Sequence, residues 1–314
     1  MVIYMEHKNN DNRRTGKTTR VELKSRPRLP EWFKVKAPGG QNYIHLQNLL
    51  KENNLHTVCQ EARCPNIGDC WERKTATFMI LGDICTRACR YCAVKTGRPT
   101  ALDVMEPVNL AKSVDILDLN YCVITSVNRD DLEDGGASVF VECVNEIRKL
   151  RPNCKIELLI PDFSFESLEK IIQVKPDVLN HNIETVRDVF KQVRPKGNYK
   201  YSMELLAKVK EIDSNMITKS GMMVGLGEDL SQIKSTMQDL VDVGCDILTV
   251  GQYLRPGELY APIKKFYNPQ EFKEIKELGQ SLGLGHVESG PLVRSSYHAD
   301  EQHTKLSQPI SIMR

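Results

Sequence analysis

Three absences narrow the reading of this chain before any motif is considered. No apolar run approaches the length needed to cross a membrane. Neither sign of charge prevails: 43 Lys and Arg stand against 41 Asp and Glu, so the broad field or basic stripe of a nucleic-acid binder is missing. Histidine is scarce, with 7 residues and none between Cys59 and Cys92. Residues 1 to about 30 are polar, rich in Lys, Arg, Asn and Thr, and lack the apolar centre of a secretion signal. Glu6, Asp11 and Glu22 also count against an organelle transit peptide, so a disordered or extended arm laid over the rest of the chain is expected. Gly16-Lys17-Thr18 lacks the rest of a phosphate loop.

What the chain has is cysteine, and it has it in one place. Six of its 10 cysteines lie between residues 59 and 92. Cys59, Cys64 and Cys70 have the spacing Cys-x4-Cys-x5-Cys, and Cys85, Cys89 and Cys92 have the spacing Cys-x3-Cys-x2-Cys. Thiolates are soft ligands, and short loops let three of them converge on one iron–sulfur cluster or one zinc. Structural zinc usually closes with four protein ligands in paired hooks, so each triplet would need a distant fourth. Three thiols leave one metal position for something else. Two triplets suggest two clusters with two different fourth ligands. Cysteine at ligand spacing in an enzyme-sized chain also argues for a reducing compartment, the cytoplasm, rather than for disulfides. The other four, Cys122, Cys143, Cys154 and Cys245, read as small buried hydrophobes.

Around the cysteines, short apolar runs alternate with helical periodicity. Strands are expected at 76–82, 121–125, 155–160, 177–182, 217–225 and 246–252. Phe140, Cys143, Val144 and Ile147 share one helical face; Leu230, Ile233, Met237, Leu240 and Val241 share another. Tyr43, Leu46, Leu49 and Leu50 mark a helix before the first triplet, and Phe272, Ile275, Leu278 and Leu282 mark one stopped by Gly283. Six strand–helix units predict a parallel α/β sheet, and the pattern alone leaves a doubly wound sheet and an open barrel equally possible.

The second triplet, with Tyr91 just before its last cysteine, resembles the signature loop of radical S-adenosylmethionine (SAM) enzymes. The first triplet and the surrounding segments narrow this further. CPNIGDCW, TATFMILGDICTRACRYCAV, TSVNRDDLEDGGA, HNIET, VRPKGNY, KSGMMVGLGE, QYLRP and RSSYHADEQ occur in that order over about residues 57 to 303. Together they resemble the lipoyl synthase family. That resemblance implies a partial (β/α)6 barrel of radical SAM type with N- and C-terminal extensions. Its divisions would be an arm over 1–55, an auxiliary-cluster loop over 56–75, the barrel over 76–256 and a C-terminal extension over 257–314.

The resemblance also assigns residues. Cys85, Cys89 and Cys92 are expected to hold a 4Fe-4S cluster whose open iron binds SAM, and Cys59, Cys64 and Cys70 a second 4Fe-4S cluster. A serine of the RSSY element is expected to complete the second, Ser296 being favoured over Ser295. Thr125, Gly135, Gly136, Asn182, Glu184 and Arg194 are expected around SAM, although Gly135-Gly136 also reads as an ordinary turn and Asn182-x-Glu184 as a helix cap. Gln252, Tyr253 and Leu254 are candidates for the adenine, and Arg294 for the tail or the substrate. Asn128 stands where many members carry Asp, which leaves the role of that side chain open.

The implied reaction inserts sulfur at carbons 6 and 8 of an octanoyl group amide-linked to a lysine of a lipoyl carrier domain, of the glycine cleavage H protein or 2-oxoacid dehydrogenase E2 type. The auxiliary cluster supplies the sulfur and the two clusters face each other across the barrel mouth. A ferredoxin or flavodoxin reductant and an iron–sulfur carrier protein complete the expected partners. Another two-cluster radical SAM enzyme, such as a methylthiotransferase, and a non-catalytic electron carrier are the rivals.

Overall fold

Local sequence decides most of the elements. The computed structural model describes residues 29–35, 38–52, 55–61, 64–72 and 77–307; residues 1–28, including most of the expected arm and Gly16-Lys17-Thr18, lie outside the described residues. Among the described residues ten strands form: β1 (His56–Thr57), β2 (Thr77–Ile80), β3 (Ile84–Cys85), β4 (Lys95–Thr96), β5 (Tyr121–Ser126), β6 (Lys155–Leu159), β7 (Val178–Asn180), β8 (Ile217–Val224), β9 (Ile247–Gln252) and β10 (His286–Gly290). The helices are α1 (Gln41–Glu52), α2 (Val58–Glu61), α3 (Ile67–Glu72), α4 (Glu106–Ile116), α5 (Ala137–Leu150), α6 (Phe165–Gln173), α7 (Arg187–Val193), α8 (Tyr199–Ile212), α9 (Leu230–Asp242), α10 (Pro269–Leu282) and α11 (Ala299–Ser307).

Caps explain the sharper boundaries. Asp229 and Gln232 exchange hydrogen bonds at the start of α9, and Asn268 and Glu271 do so at the start of α10. Pro269 sits in the first turn of α10, where its missing N–H costs nothing. Gly283 ends that helix with φ 112°, a conformation only glycine adopts freely.

The main sheet runs β1-β2-β5-β6-β7-β8-β9-β10. All neighbours pair in parallel except β1 with β2. Its two edges do not pair, so the sheet curls without closing. The six expected runs occupy the middle, from β2 through β9. Phe140, Val144 and Ile147 of α5 and Ile233, Met237 and Leu240 of α9 are buried as their periodicity predicts. Each such side chain contributes about 1.5–3 kcal/mol when taken fully out of water.

One expectation is corrected. The strand–helix repeat was expected to end near Pro256, yet α10 leads into β10, which pairs with β9 from His286 opposite Ile247 to Gly290 opposite Gly251. HVESG is short and half polar because an edge strand packs on few neighbours; Val287 and His286 alone are buried. The consequence for the site is direct. β10 delivers the RSSY element to the sheet.

Candidate active site: two cysteine triplets

The first triplet is built on two short helices. Cys59 lies in α2, Cys64 in the turn after it, and Cys70 in α3. The Cys64 N–H donates to the Cys59 carbonyl at 3.0 Å and the Cys70 N–H to the Asn66 carbonyl at 2.9 Å. Trp71 is fully buried against Tyr43, ring centroids 4.9 Å apart, which ties α3 to α1. The Asn66 side chain then donates to the Leu292 carbonyl at 2.6 Å and ties the loop to the C-terminal segment.

These thiols line one small cavity with Thr77, Arg294 and Ser296. Burial pushes the Cys59 thiol up to about 11 and also raises Cys64, against the pull of the Arg294 guanidinium. Such thiols need a positive centre to ionise, and iron supplies one. Ser296 accepts a hydrogen bond from the Thr77 hydroxyl at 2.6 Å. Ser295 faces elsewhere: its oxygen accepts from Asn180 Nδ2 at 3.0 Å and donates to Asn182 Oδ1 at 2.8 Å. The two serines are thereby distinguished by their partners.

The second triplet follows the other end of β2. Cys85 closes β3, and its sulfur accepts the backbone N–H groups of Arg87 at 3.4 Å and Asn128 at 3.3 Å. Such N–H donors stabilise a thiolate that holds a metal. Burial raises Cys89, with Arg194 opposing, and pushes Cys92 up to about 12. The loop is pinned from three sides. Thr86 N–H donates to the Asn128 carbonyl at 3.0 Å, Arg90 N–H to the Val193 carbonyl at 2.7 Å, and Ala261 N–H to the Arg90 carbonyl at 2.7 Å. Asn128 therefore serves the loop through its backbone, by bonds that Asn and Asp can make alike.

Among the described residues no three His, Cys, Asp or Glu side chains converge closely enough to hold a single metal ion. Ligands of a cluster each take a different iron and stand farther apart than those of one zinc. Because Thr77 opens β2 and Cys85 follows its far end, the triplets attach to opposite ends of one strand, roughly 13 Å long at the usual rise.

The residues expected around SAM divide. Asn182, Glu184 and Arg194 come to the second triplet. Glu184 hydrogen-bonds the side chains of Asn182 and Tyr91, and its carboxyl is raised by burial against the pull of Arg194. It is not a helix cap, since α7 begins after Val186, and it holds φ 69°, a strained value for a residue with a side chain. Gly135 and Gly136 make the turn into α5 at φ 63° and 95°; a methyl on Gly136 would lie 2.3 Å from Leu81. Thr125 turns into the sheet and donates to the Leu159 carbonyl at 2.8 Å. The Gln252 amide is taken up by the backbone of Val224, Tyr253, Lys265 and Tyr267, and Tyr253 by Ala261.

Sequence reasoning missed the groups that brace both loops. Asp162, after β6, binds Arg194 Nη2 at 2.7 Å and also Arg87 of the second cysteine loop. Burial would raise its carboxyl, but His181, Arg194 and Arg87 together hold it below the usual range. Glu157 and Lys219 form a pair at 3.0 Å, joined by Tyr121 and Asn180. A lone Lys inside the apolar run ITKSGMMVG was the available signal.

Known proteins resemble this chain over most of its length. A family model described as the radical SAM superfamily matches residues 79–240, and the N-terminal domain of lipoyl synthase matches residues 4–64. The lipoyl synthase of Roseiflexus sp. (strain RS-1) is 52% identical over 277 residues, 88% of this chain and 92% of its own. That of Geobacillus kaustophilus is 53% identical over 278 residues, 88% of this chain and 93% of its own. Among solved structures, the FeFe-hydrogenase maturase HydG from Carboxydothermus hydrogenoformans gives a TM-score of 0.55 at 17% identity, over 73% of this chain and 56% of its own. Methylornithine synthase gives 0.52 at 14% identity, over 83% of this chain and 88% of its own. These two show the fold.

Proposed function

The chain belongs to the lipoyl synthase family of radical SAM enzymes, and from that premise we propose which of its residues carry the reaction. The family activity is insertion of two sulfur atoms at carbons 6 and 8 of a protein-bound octanoyl-lysine, with SAM and two 4Fe-4S clusters as cofactors. When bound, one cluster supplies the electron that cleaves SAM and the other supplies sulfur. The substrates are octanoylated lipoyl carrier proteins.

Cys85, Cys89 and Cys92 hold the cluster that binds SAM, and Cys59, Cys64, Cys70 and Ser296 hold the sulfur-donating one. The observation that carries this reading is the shared cavity of the first triplet and Ser296. A serine oxygen is a weaker iron ligand than a thiolate, which suits an iron that must be released as sulfur leaves. Ser295 is engaged by Asn180 and Asn182 and is not the ligand. Arg194 keeps the second loop positively bordered, while Asn182 and Glu184 offer polar groups to SAM's amine. Gly135 and Gly136 expose backbone to its methionyl end. Arg294 offsets charge on Cys64.

Carrier domains of the H-protein and E2 types, a ferredoxin or flavodoxin reductant and an iron–sulfur carrier follow from the chemistry: an acyl-lysine, one-electron delivery and a cluster that is consumed. Ten free thiols suit a reducing cytoplasm, and among the described residues no helix is long and apolar enough to cross a membrane.

The test is anaerobic reconstitution followed by iron counting and turnover with SAM, dithionite and an octanoyl-lysine peptide. About eight irons are expected for two four-iron clusters, with a product two sulfurs heavier. Ser296→Ala is expected to lose iron from the auxiliary site, whereas Ser295→Ala retains that iron. The opposite pattern would overturn the ligand assignment.

A further inference from the structure

Thr77 is the first residue of the first parallel strand, and it is buried. Two other buried strand threonines, Thr125 and Thr249, give their protons to backbone carbonyls, those of Leu159 and Ser220. Thr77 reaches a distant side chain instead. Its hydroxyl donates to the side chain of Ser296, 219 positions later in the chain, at 2.6 Å. Its backbone meanwhile hydrogen-bonds the Cys59 thiol. One residue therefore grips the first thiol of the N-terminal triplet and the serine of the C-terminal element, and all three line one cavity.

The pairing of these two hydroxyls has a chemical meaning. A serine that ligates iron has given up its proton, so its oxygen can only accept hydrogen bonds. An O–H donor already held at hydrogen-bond distance fixes the oxygen's orientation and stabilises its charge. A bond of that kind is about twice as strong as one between neutral groups. Ser295, the next residue, is held separately by Asn180 and Asn182, so the backbone of the element is anchored independently of Thr77. What Thr77 alone controls is the Ser296 oxygen.

We propose that Thr77 is a positioning residue that holds Ser296 on the auxiliary cluster and sets how readily that ligand lets go. This rests on the reading of Ser296 as the fourth ligand. Removal of the donor weakens the serine's hold, so the iron it guards is lost before sulfur transfer calls for it.

The experiment measures iron loss from the reconstituted full-length enzyme to a chelator, followed by the visible absorbance of the cluster and by iron counting. Thr77→Val keeps the shape and removes the hydroxyl. It is expected to speed loss of auxiliary-site iron about tenfold, the factor that a lost hydrogen bond to a charged group implies. Thr77→Ser restores the hydroxyl and the wild-type rate. In a Ser296→Ala background the Thr77→Val change adds nothing, because the accepting oxygen is gone; two merely structural effects would add. Wild-type iron loss in Thr77→Val, or an equal further effect in the Ser296→Ala background, would overturn the proposal while leaving the ligand assignment intact. Wild-type iron loss in Ser296→Ala would overturn the ligand assignment itself, and the proposal with it.

Discussion

Lys219 and Glu157 stand 3.0 Å apart on neighbouring-but-one strands with neither side chain exposed. Burial pulls the ammonium's proton affinity down, and the Glu157 carboxylate opposes that. Tyr121 donates to Glu157 at 2.8 Å, and Asn180 relays the pair to Ser295. Breaking such a pair from one side leaves an uncompensated buried charge. Glu157→Gln or Lys219→Met is expected to cost about 3–5 kcal/mol, and the double replacement by apolar residues much less. Denaturant unfolding of the three variants checks this; equal losses in the single and double variants would contradict it.

Asn128 offers the opposite case. Its backbone holds Cys85 and Thr86, and those bonds are indifferent to Asn or Asp. Asn128→Asp is expected to leave SAM cleavage within about twofold, the scatter of a substitution away from packing and buried charge. Rates of 5'-deoxyadenosine formation settle it, and a tenfold drop would mean that the side chain has work of its own.

His181 makes stability depend on pH. Burial lowers it to about 4, against the opposing pull of Asp162, with Arg194 and Arg87 adding to the depression. Its ring lies between the Ile160 carbonyl and the Ser202 hydroxyl, each at 3.1 Å. A depressed value means that the unfolded chain takes up the proton first. Its contribution is therefore complete above the unfolded value of roughly 6.5 and is lost as pH falls toward 4. Denaturant midpoints should fall between pH 7.5 and 5.5 more steeply in the wild type than in His181→Asn, roughly by the order of 1 kcal/mol over that window. Parallel profiles would remove His181 as the cause.

Gly251 tests the seat of the C-terminal element. A methyl there would lie 2.0 Å from the Val293 carbonyl oxygen and 3.1 Å from Arg294. Backbone cannot yield as a flexible side chain can, so Gly251→Ala should lift residues 293–296 from β9. Iron loss resembling that of Ser296→Ala is the expected readout, with 5'-deoxyadenosine still formed. A full iron complement would show that the element tolerates the methyl.

Legibility in the sequence followed the physics of each signal. Apolar runs announced β2 and β5 through β9 because strands covered on both faces need nearly unbroken hydrophobicity. His56–Thr57 and HVESG announced nothing, being edge strands with little to bury. The cysteine triplets were visible as spacing, since loop ligands are close in sequence. Ser296 was favoured over Ser295 with no contact to argue from, because what distinguishes them is Asn180 and Asn182 on one side and Thr77 on the other. Asp162 lay hidden for the same reason, and of the Lys219–Glu157 pair only the Lys showed, as a charge inside an apolar run.

The docking of β10 on β9 also orders events during synthesis. Thr77 and the six ligand-spaced thiols emerge early, whereas Ser296 follows Thr77 by 219 positions. Chains fold from the N-terminus as they are made. On the ligand set proposed above, the first triplet would offer iron only three thiols until the last parallel strand adds to the sheet. A copy cut short before β10 would then lack the complete sulfur-donating site while keeping the second triplet.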